Sequence, residues 1–206
     1  MPPDCRSSSS TTAATSRASP VAPTDRAGGA SAARHLLDIG RRRPLVVTGP
    51  TGFGCVQERL AGFTEAWAES GPPVTAQQIV HGDFSYEGGR HAIRSVLDSR
   101  PVPAPAATAP FDSVFAHNDL SAVGALAELR AHGLRVPEDV AVVGFDDVPL
   151  ASQSDPALTT VRQPLRGMGA AAARLLLGQL RGEPRPGGPI VLPTTLAVRD
   201  STRPGP

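Results

Sequence analysis

The chain has 206 residues, of which 40% are hydrophobic and 19% charged, the proportions of a globular protein with an ordinary core. Its net charge of +1 excludes a strongly electrostatic binder of nucleic acid or another polyanion. No apolar run reaches the ~18 residues that a membrane span needs.

Residues 1–23 are rich in Ser, Thr, Ala and Pro and almost free of large apolar side chains. Such a segment cannot bury enough surface to offset the entropy of ordering, so it is expected to be a disordered tail outside the fold. It lacks the apolar stretch of about 7–15 residues that a secretory signal carries. Cys5 in the tail and Cys55 in a glycine-rich loop do not form a disulfide framework and fit a reducing cytoplasm.

From Asp25 the texture changes. Asp25 stands where a helix cap is expected, ahead of a helix to about Ile39 with Ala33, Leu36 and Leu37 on one face and Gly40 as its stop. Leu45–Thr48 is a β-branched run, and Val56, Leu60, Phe63 and Trp67 then recur at helical spacing. Gln78–Val80 predicts a strand and Tyr86–Asp98 a helix, followed by a Pro/Ala loop over 99–112. Ser113–Ala116 is the next strand, and Leu120, Val123, Leu126 and Ala127 mark a helix running to Gly133. Val140–Val143 predicts another strand, ending at Gly144-Phe145-Asp146-Asp147. Beyond it, Thr159–Arg162 reads as extended and Leu165 to about Arg181 as a helix that is apolar nearly all round. Ile190–Val198 reads as a return strand that Pro193 confines to an edge or a bend, and 204–206 as a polar tail.

Strand and helix have alternated four times by residue 147. That alternation predicts an α/β fold, a doubly wound parallel sheet with helices on both faces over about 45–147, joined by the return strand near 190–198. In an open parallel sheet ligands bind at the carboxyl ends of the strands. Those ends carry Thr48, His81 with Asp83, Asn118 with Asp119, and Asp146 with Asp147, with Arg59 and Phe84 nearby. Carboxylate, amide and guanidinium groups around an aromatic face suit a polyhydroxylated ligand. Asp, Asn and Gly also favour turns and helix starts, so the joint pattern carries this reading rather than any one residue.

Gly49-Pro50-Thr51-Gly52-Phe53-Gly54 lacks the Lys-Ser/Thr that completes a phosphate loop and reads as a plain strand-to-helix turn. The five histidines show no close metal spacing, Cys55 has no evident base partner, and the adjacent Asp146 and Asp147 are expected to point apart. No catalytic residue, metal or cofactor is expected.

Seven segments carry a family resemblance. His117–Leu120, Gly133–Val140, Val143–Asp147, Leu158–Pro164 and Leu196–Thr202 resemble the effector domain of LacI/GalR-family bacterial transcription regulators, as do His35–Gly40 and Arg59–Phe63. The resemblance covers about 24–203 and implies a periplasmic-binding-protein-like fold. It also implies a small effector of the sugar or nucleoside class, a cytoplasmic homodimer, and control of operator DNA. The family's effector contacts fall on Arg59, Phe84, Asn118 and Asp146, with Gln163 near the crossover between subdomains. Three positions depart from the pattern. Cys55 replaces an often polar, ligand-facing residue. His117 stands where a small residue is common and is expected to narrow the crevice. Pro44 replaces a β-branched residue and is expected to delay its strand.

No helix-turn-helix or hinge helix is recognisable before residue 24, so the chain is read as an N-terminally truncated regulator. It would hold mainly the C-terminal subdomain, with the helix 165–181 and the crossover strands of the other one, and would reach operator DNA only through a missing N-terminal domain. The alternative is a periplasmic-type sugar-binding protein, which the absence of a signal segment and the Val136–Val140 and Thr159–Pro164 signatures oppose. A doubly wound enzyme is opposed by the incomplete phosphate loop and the missing nucleophile–base pair.

Overall fold

Short β-branched runs separated by helical segments close a core by stacking as a parallel sheet between helix layers. The computed structural model, which describes residues 21–99, 109–184 and 186–203, shows that arrangement. In chain order the elements are β1 (Val21–Pro23), α1 (Asp25–Asp38), β2 (Pro44–Thr48), α2 (Gly54–Ala68), β3 (Ile79–His81), α3 (Tyr86–Asp98) and β4 (Ser113–Ala116). They continue with α4 (Asp119–Ala131), β5 (Ala141–Asp146), α5 (Pro149–Gln153), β6 (Thr159–Arg162), α6 (Leu165–Leu180), β7 (Ile190–Leu192) and β8 (Thr195–Ala197). The main sheet has the order β3-β2-β4-β5-β6-β8, parallel throughout except for β8, which runs antiparallel along β6.

Alternation along the strands divides the core into two layers. Val46, Phe115 and Val143 face α1 and α2, where they meet Leu36, Phe63 and Trp67. Val47, Val114 and Val142 face α3 and α4, where they meet Ile93, Leu126 and Leu129. Phe63 stacks between Trp67 and Phe115, with ring centroids at 5.5 and 4.8 Å. The crossing of α1 and α2 is close because Gly62 lies against the Arg26 carbonyl, where a Cβ would collide. This approach sets the Arg59 side chain of α2 beside the first turn of α1.

Several boundaries differ from the sequence expectation. Val21–Pro23, assigned to the disordered tail, form β1, which pairs in parallel with β7. Three residues carry no periodicity, and only the distant partner Ile190–Leu192 makes them a strand. Residues 1–20 and 204–206 lie outside the described residues, as do 100–108 of the expected loop. The end of that loop is not solvated, because Ala109 and Phe111 are buried. Thr24, not Asp25, occupies the N-cap of α1, and Asp25 is the first helical residue. Gly40 does stop α1, at φ +87°. The strand expected at Val140–Val143 runs on to Asp146 because β6 pairs with it as far as Arg162. Pro44 opens β2 rather than delaying it, since a proline at the first residue of a strand removes no interior ladder bond.

The expected return strand 190–198 is two strands in two sheets. Pro193 and Thr194 break it into β7, paired with β1, and β8, on the edge of the main sheet. The β1–β7 pair and α6 form a small second body beside the carboxyl ends of the main strands. In α6 only Ala171 and Gly178 are buried, while Leu176, Leu177 and Leu180 are exposed.

Candidate functional site

Parallel strands bring all their carboxyl ends to one edge, and here β2 has β3 on one side and β4 on the other. Loops leaving such a point diverge and open a crevice. A crevice of about 940 Å³ lies there, lined among others by Pro23, Asp25, Phe53, Cys55, Arg59, Gln163 and Met168. The small body forms its second side.

Arg59 forms the floor. It is only 5% exposed. Its Nε donates to Asp25 Oδ1 at 2.7 Å, its Nη1 donates to the His117 carbonyl, and Asp146 Oδ1 lies 3.7 Å from Nη1. Its guanidinium carbon sits 3.7 Å over the Phe145 ring centroid, so the cation is sandwiched between an aromatic face and two carboxylates.

Asp146 holds a left-handed backbone, φ +110°, a conformation rare outside glycine and concentrated at functional sites. The side chain of Gln163 donates to its Oδ1 at 2.5 Å and the backbone N–H of Gln163 donates to its carbonyl at 3.2 Å. Burial pushes the Asp146 carboxyl above the usual range, against the pull of Arg59 and the Gln163 bond. Its neighbour Asp147 points away, as expected, and ion-pairs with Arg162 and Arg199. Burial works against the Asp147 carboxylate, but the two arginines hold it below the usual range.

Asn118 caps α4, accepting from the Ser121 N–H at 3.0 Å, and its Nδ2 donates to the Phe84 carbonyl at 2.8 Å. Phe84 is also left-handed, φ +67°. Its ring fills the space over Gly49, where any Cβ would collide with it, and meets Phe53 edge to face at 6.2 Å.

Of the five expected residues Arg59 and Gln163 line the crevice, and contacts link all five into two groups beside it. Arg59, Asp146 and Gln163 form one hydrogen-bonded and ionic cluster. Phe84 and Asn118 form the other, joined to the first where His117, the residue before Asn118, takes the Arg59 bond through its carbonyl. Cys55, which replaces an often polar residue, is half-buried and lines the crevice. The His117 ring does not narrow it. The ring is 1% exposed, tilted against Phe115 at 5.2 Å, and neither of its nitrogens has a hydrogen-bond partner among the described residues. Burial, with Arg59 and His81 adding, lowers its pKa to about 3. His81 is tied to Thr48 at 2.8 Å.

Two residues escaped the sequence reading. Asp25 looked like a cap, and nothing local signals its ion pair with a residue 34 positions on. Phe53 did carry a signal, an aromatic residue in a glycine turn at the start of a helix. Among the described residues no group of three or more His, Cys, Asp or Glu could hold a metal ion, and no helix is long and apolar enough to cross a membrane.

A family model for the periplasmic binding protein-like domain matches residues 33–202. The transcriptional regulator CelR of Thermobifida fusca is 41% identical over 174 residues, covering 84% of this chain and 49% of that protein. The transcriptional repressor CytR of Escherichia coli K12 is 36% identical over 172 residues, 84% of this chain and 48% of that protein. A solved CelR–cellobiose complex matches with a TM-score of 0.79 at 39% identity, covering 88% of this chain and 54% of that one. The regulator CcpA of Lactococcus lactis matches with a TM-score of 0.79 at 26% identity, covering 89% and 64%. The chain spans about half the length of the curated relatives it matches.

Proposed function

The chain belongs to the LacI family of transcriptional regulators, within their periplasmic binding protein-like domain, and we propose that its crevice binds a neutral, polyhydroxylated effector of the sugar or nucleoside class. The observation that carries this reading is Arg59, buried at the crevice floor between Asp25 and Asp146 and stacked on Phe145. Asp146 Oδ1 is occupied by Gln163 and faces Arg59, which leaves Oδ2 to accept from a ligand hydroxyl. Arg59 keeps guanidinium donors beyond the two already used. Paired donors and acceptors of this kind bind vicinal hydroxyls. The lining balances Asp25 and Glu58 against Arg26 and Arg59, so it carries no net charge to attract an anionic ligand.

Three chain crossings join the small body to the main sheet, at Thr24, at Gln163–Pro164 and at Pro193–Thr194. Two are laced together. Thr24 N–H donates to the Leu192 carbonyl at 3.0 Å, and the Thr194 N–H donates to Thr24 Oγ1 at 2.9 Å. The third is tied to the floor by the Gln163–Asp146 bonds. An effector on Asp146 thus acts on a residue bonded to a crossing, which gives binding a route to the relative position of the two bodies.

In the complete regulator we read this change as controlling operator DNA, in the cytoplasm and as a homodimer, with DNA read by a part of the protein outside this chain. We read the site as a binding site rather than a catalytic one, since Asp147 is engaged by two arginines and no nucleophile–base pair accompanies Asp146. The similarity to transcriptional regulators favours this reading over a periplasmic sugar-binding protein. Calorimetric or NMR titration with cellobiose, glucose and uridine tests it. Millimolar binding that disappears in Asp146→Ala is expected, and binding that survives Asp146→Ala would place the site elsewhere.

A further inference from the structure

We propose that Asp119 is a positioning residue of the effector site: its buried carboxylate holds the turn after β5 from behind, so that Asp146 stays beside Arg59. The inference rests on the effector-site reading above and adds to it a residue that acts through Asp146 without touching the effector.

The turn has to be held. Asp146 and Asp147 take left-handed backbone conformations in succession, φ +110° and +58°. Neither is a glycine, and a side chain in that region costs energy that surrounding contacts must offset. Gln163 ties the start of the turn through its bonds to the Asp146 carbonyl and carboxylate. Asp119 ties the end, where its Oδ2 accepts from the Val148 N–H at 2.9 Å. Its Oδ1 accepts from Thr160 Oγ1 at 2.5 Å, in β6, the strand that leads to Gln163. One carboxylate therefore joins the start of α4, the end of the turn and the strand that delivers the other tie.

Capping does not account for Asp119. The N-cap of α4 is Asn118, which accepts from the Ser121 N–H, whereas both Asp119 bonds reach other segments, 29 and 41 positions on. The positive end of α4 favours a carboxylate at its first residue, but it does not require one that is 0% exposed. The charges that face Asp119, Asp146 and Asp147, share its sign and add to the effect of burial in raising its pKa. A buried carboxylate without a cation is costly, yet β5 makes room for it: a Cβ on Gly144 would collide with Asp119 Oδ1. Breaks with local preference of this kind concentrate at functional positions, and here the group held is the turn that carries Asp146.

The test is NMR titration of the purified chain and its variants with cellobiose, glucose and uridine. Asp119→Leu keeps a side chain of similar size, removes both acceptors and suits the apolar Leu158 and Ala122 beside Gly144. Its affinity for whichever probe the wild type binds should fall about tenfold, and its Val148 amide proton should move upfield and exchange faster. Asp119→Asn should restore both, because its Oδ1 can accept from Val148 while its Nδ2 donates to Thr160 Oγ1. Glu128→Gln weakens the ion pairs of α4 with Arg90 and Arg94 instead, and should leave affinity within about twofold. Asp119→Ala is read in place of Asp119→Leu if the larger side chain prevents folding, and failure of both to fold would make Asp119 a folding residue and overturn the inference. Wild-type affinity in folded Asp119→Leu, a loss in Asp119→Asn as large as in Asp119→Leu, or an equal loss in Glu128→Gln overturns the Asp119 inference alone. Binding of none of the three probes by the wild type, or full binding by Asp146→Ala, overturns the effector-site reading and this inference with it.

Discussion

Asn118 spends both ends of its side-chain amide on the protein. The oxygen caps α4 through Ser121, and the nitrogen holds the carbonyl of Phe84, 34 residues earlier. A residue expected to meet the effector therefore also holds the aromatic wall in its strained backbone conformation. One N–H and one lone pair remain for a ligand.

Asn118→Ala should accordingly cost about 1–2 kcal/mol of stability, from the lost cap and the released Phe84 carbonyl. Urea unfolding followed by circular dichroism measures it. A change below about 0.3 kcal/mol would show that neither bond matters to the folded state.

Arg59→Met should destabilise more, by about 3 kcal/mol, because it leaves Asp25 with an uncompensated charge in a largely buried position. Arg59→Lys should recover only part of the loss, since one ammonium cannot reproduce the bonds to Asp25 and to the His117 carbonyl together with the stack on Phe145. Equal unfolding midpoints for the wild type and Arg59→Met would contradict the hub role.

Two buried groups push stability in opposite directions with pH. Asp119 has its pKa raised to about 7, chiefly by burial, so the folded chain keeps that proton longer than the unfolded one. Its contribution is full below about pH 4 and is lost as the pH rises towards 7. His117, lowered to about 3, contributes fully above about pH 6.5 and loses that contribution as the pH falls. Between about pH 4.5 and 6.5 the two offset. Denaturation midpoints should therefore rise with pH in Asp119→Asn and fall with pH in His117→Phe. Parallel profiles in the two variants would refute the assignment.

The outer face of α6 is expected to associate. Leu176, Leu177 and Leu180 are each more than half exposed, and Val191 of β7 is exposed as well. Covering one such side chain is worth about 1.5–3 kcal/mol. Sedimentation equilibrium should show concentration-dependent self-association that weakens in Leu177→Glu and Leu180→Glu. A monomer at every concentration, with no binding of a hydrophobic dye, would show that the face is tolerated in water.

What the sequence determined by itself is the sheet and its layers. Alternating β-branched runs and 3.6-residue periodicity are local patterns, and they specify which side of Val46–Val47 or Val114–Phe115 faces which pair of helices. They also place Thr48, His81, Asn118 and Asp146 at one edge, because parallel strands leave no other choice. Tertiary structure decided the rest. Val21–Pro23 are a strand only because Ile190–Leu192 lie beside them, and Asp25 is an ion-pair partner only because the glycine-lined crossing of α1 and α2 brings Arg59 to it. The split of 190–198 between two sheets was half legible in Pro193, but which sheet took each half depended on partners over a hundred and sixty residues away in one case and about thirty-five in the other. Pairing across such distances leaves no periodic trace in either segment, since each residue's own preference is satisfied by several partners and only the closed fold selects one.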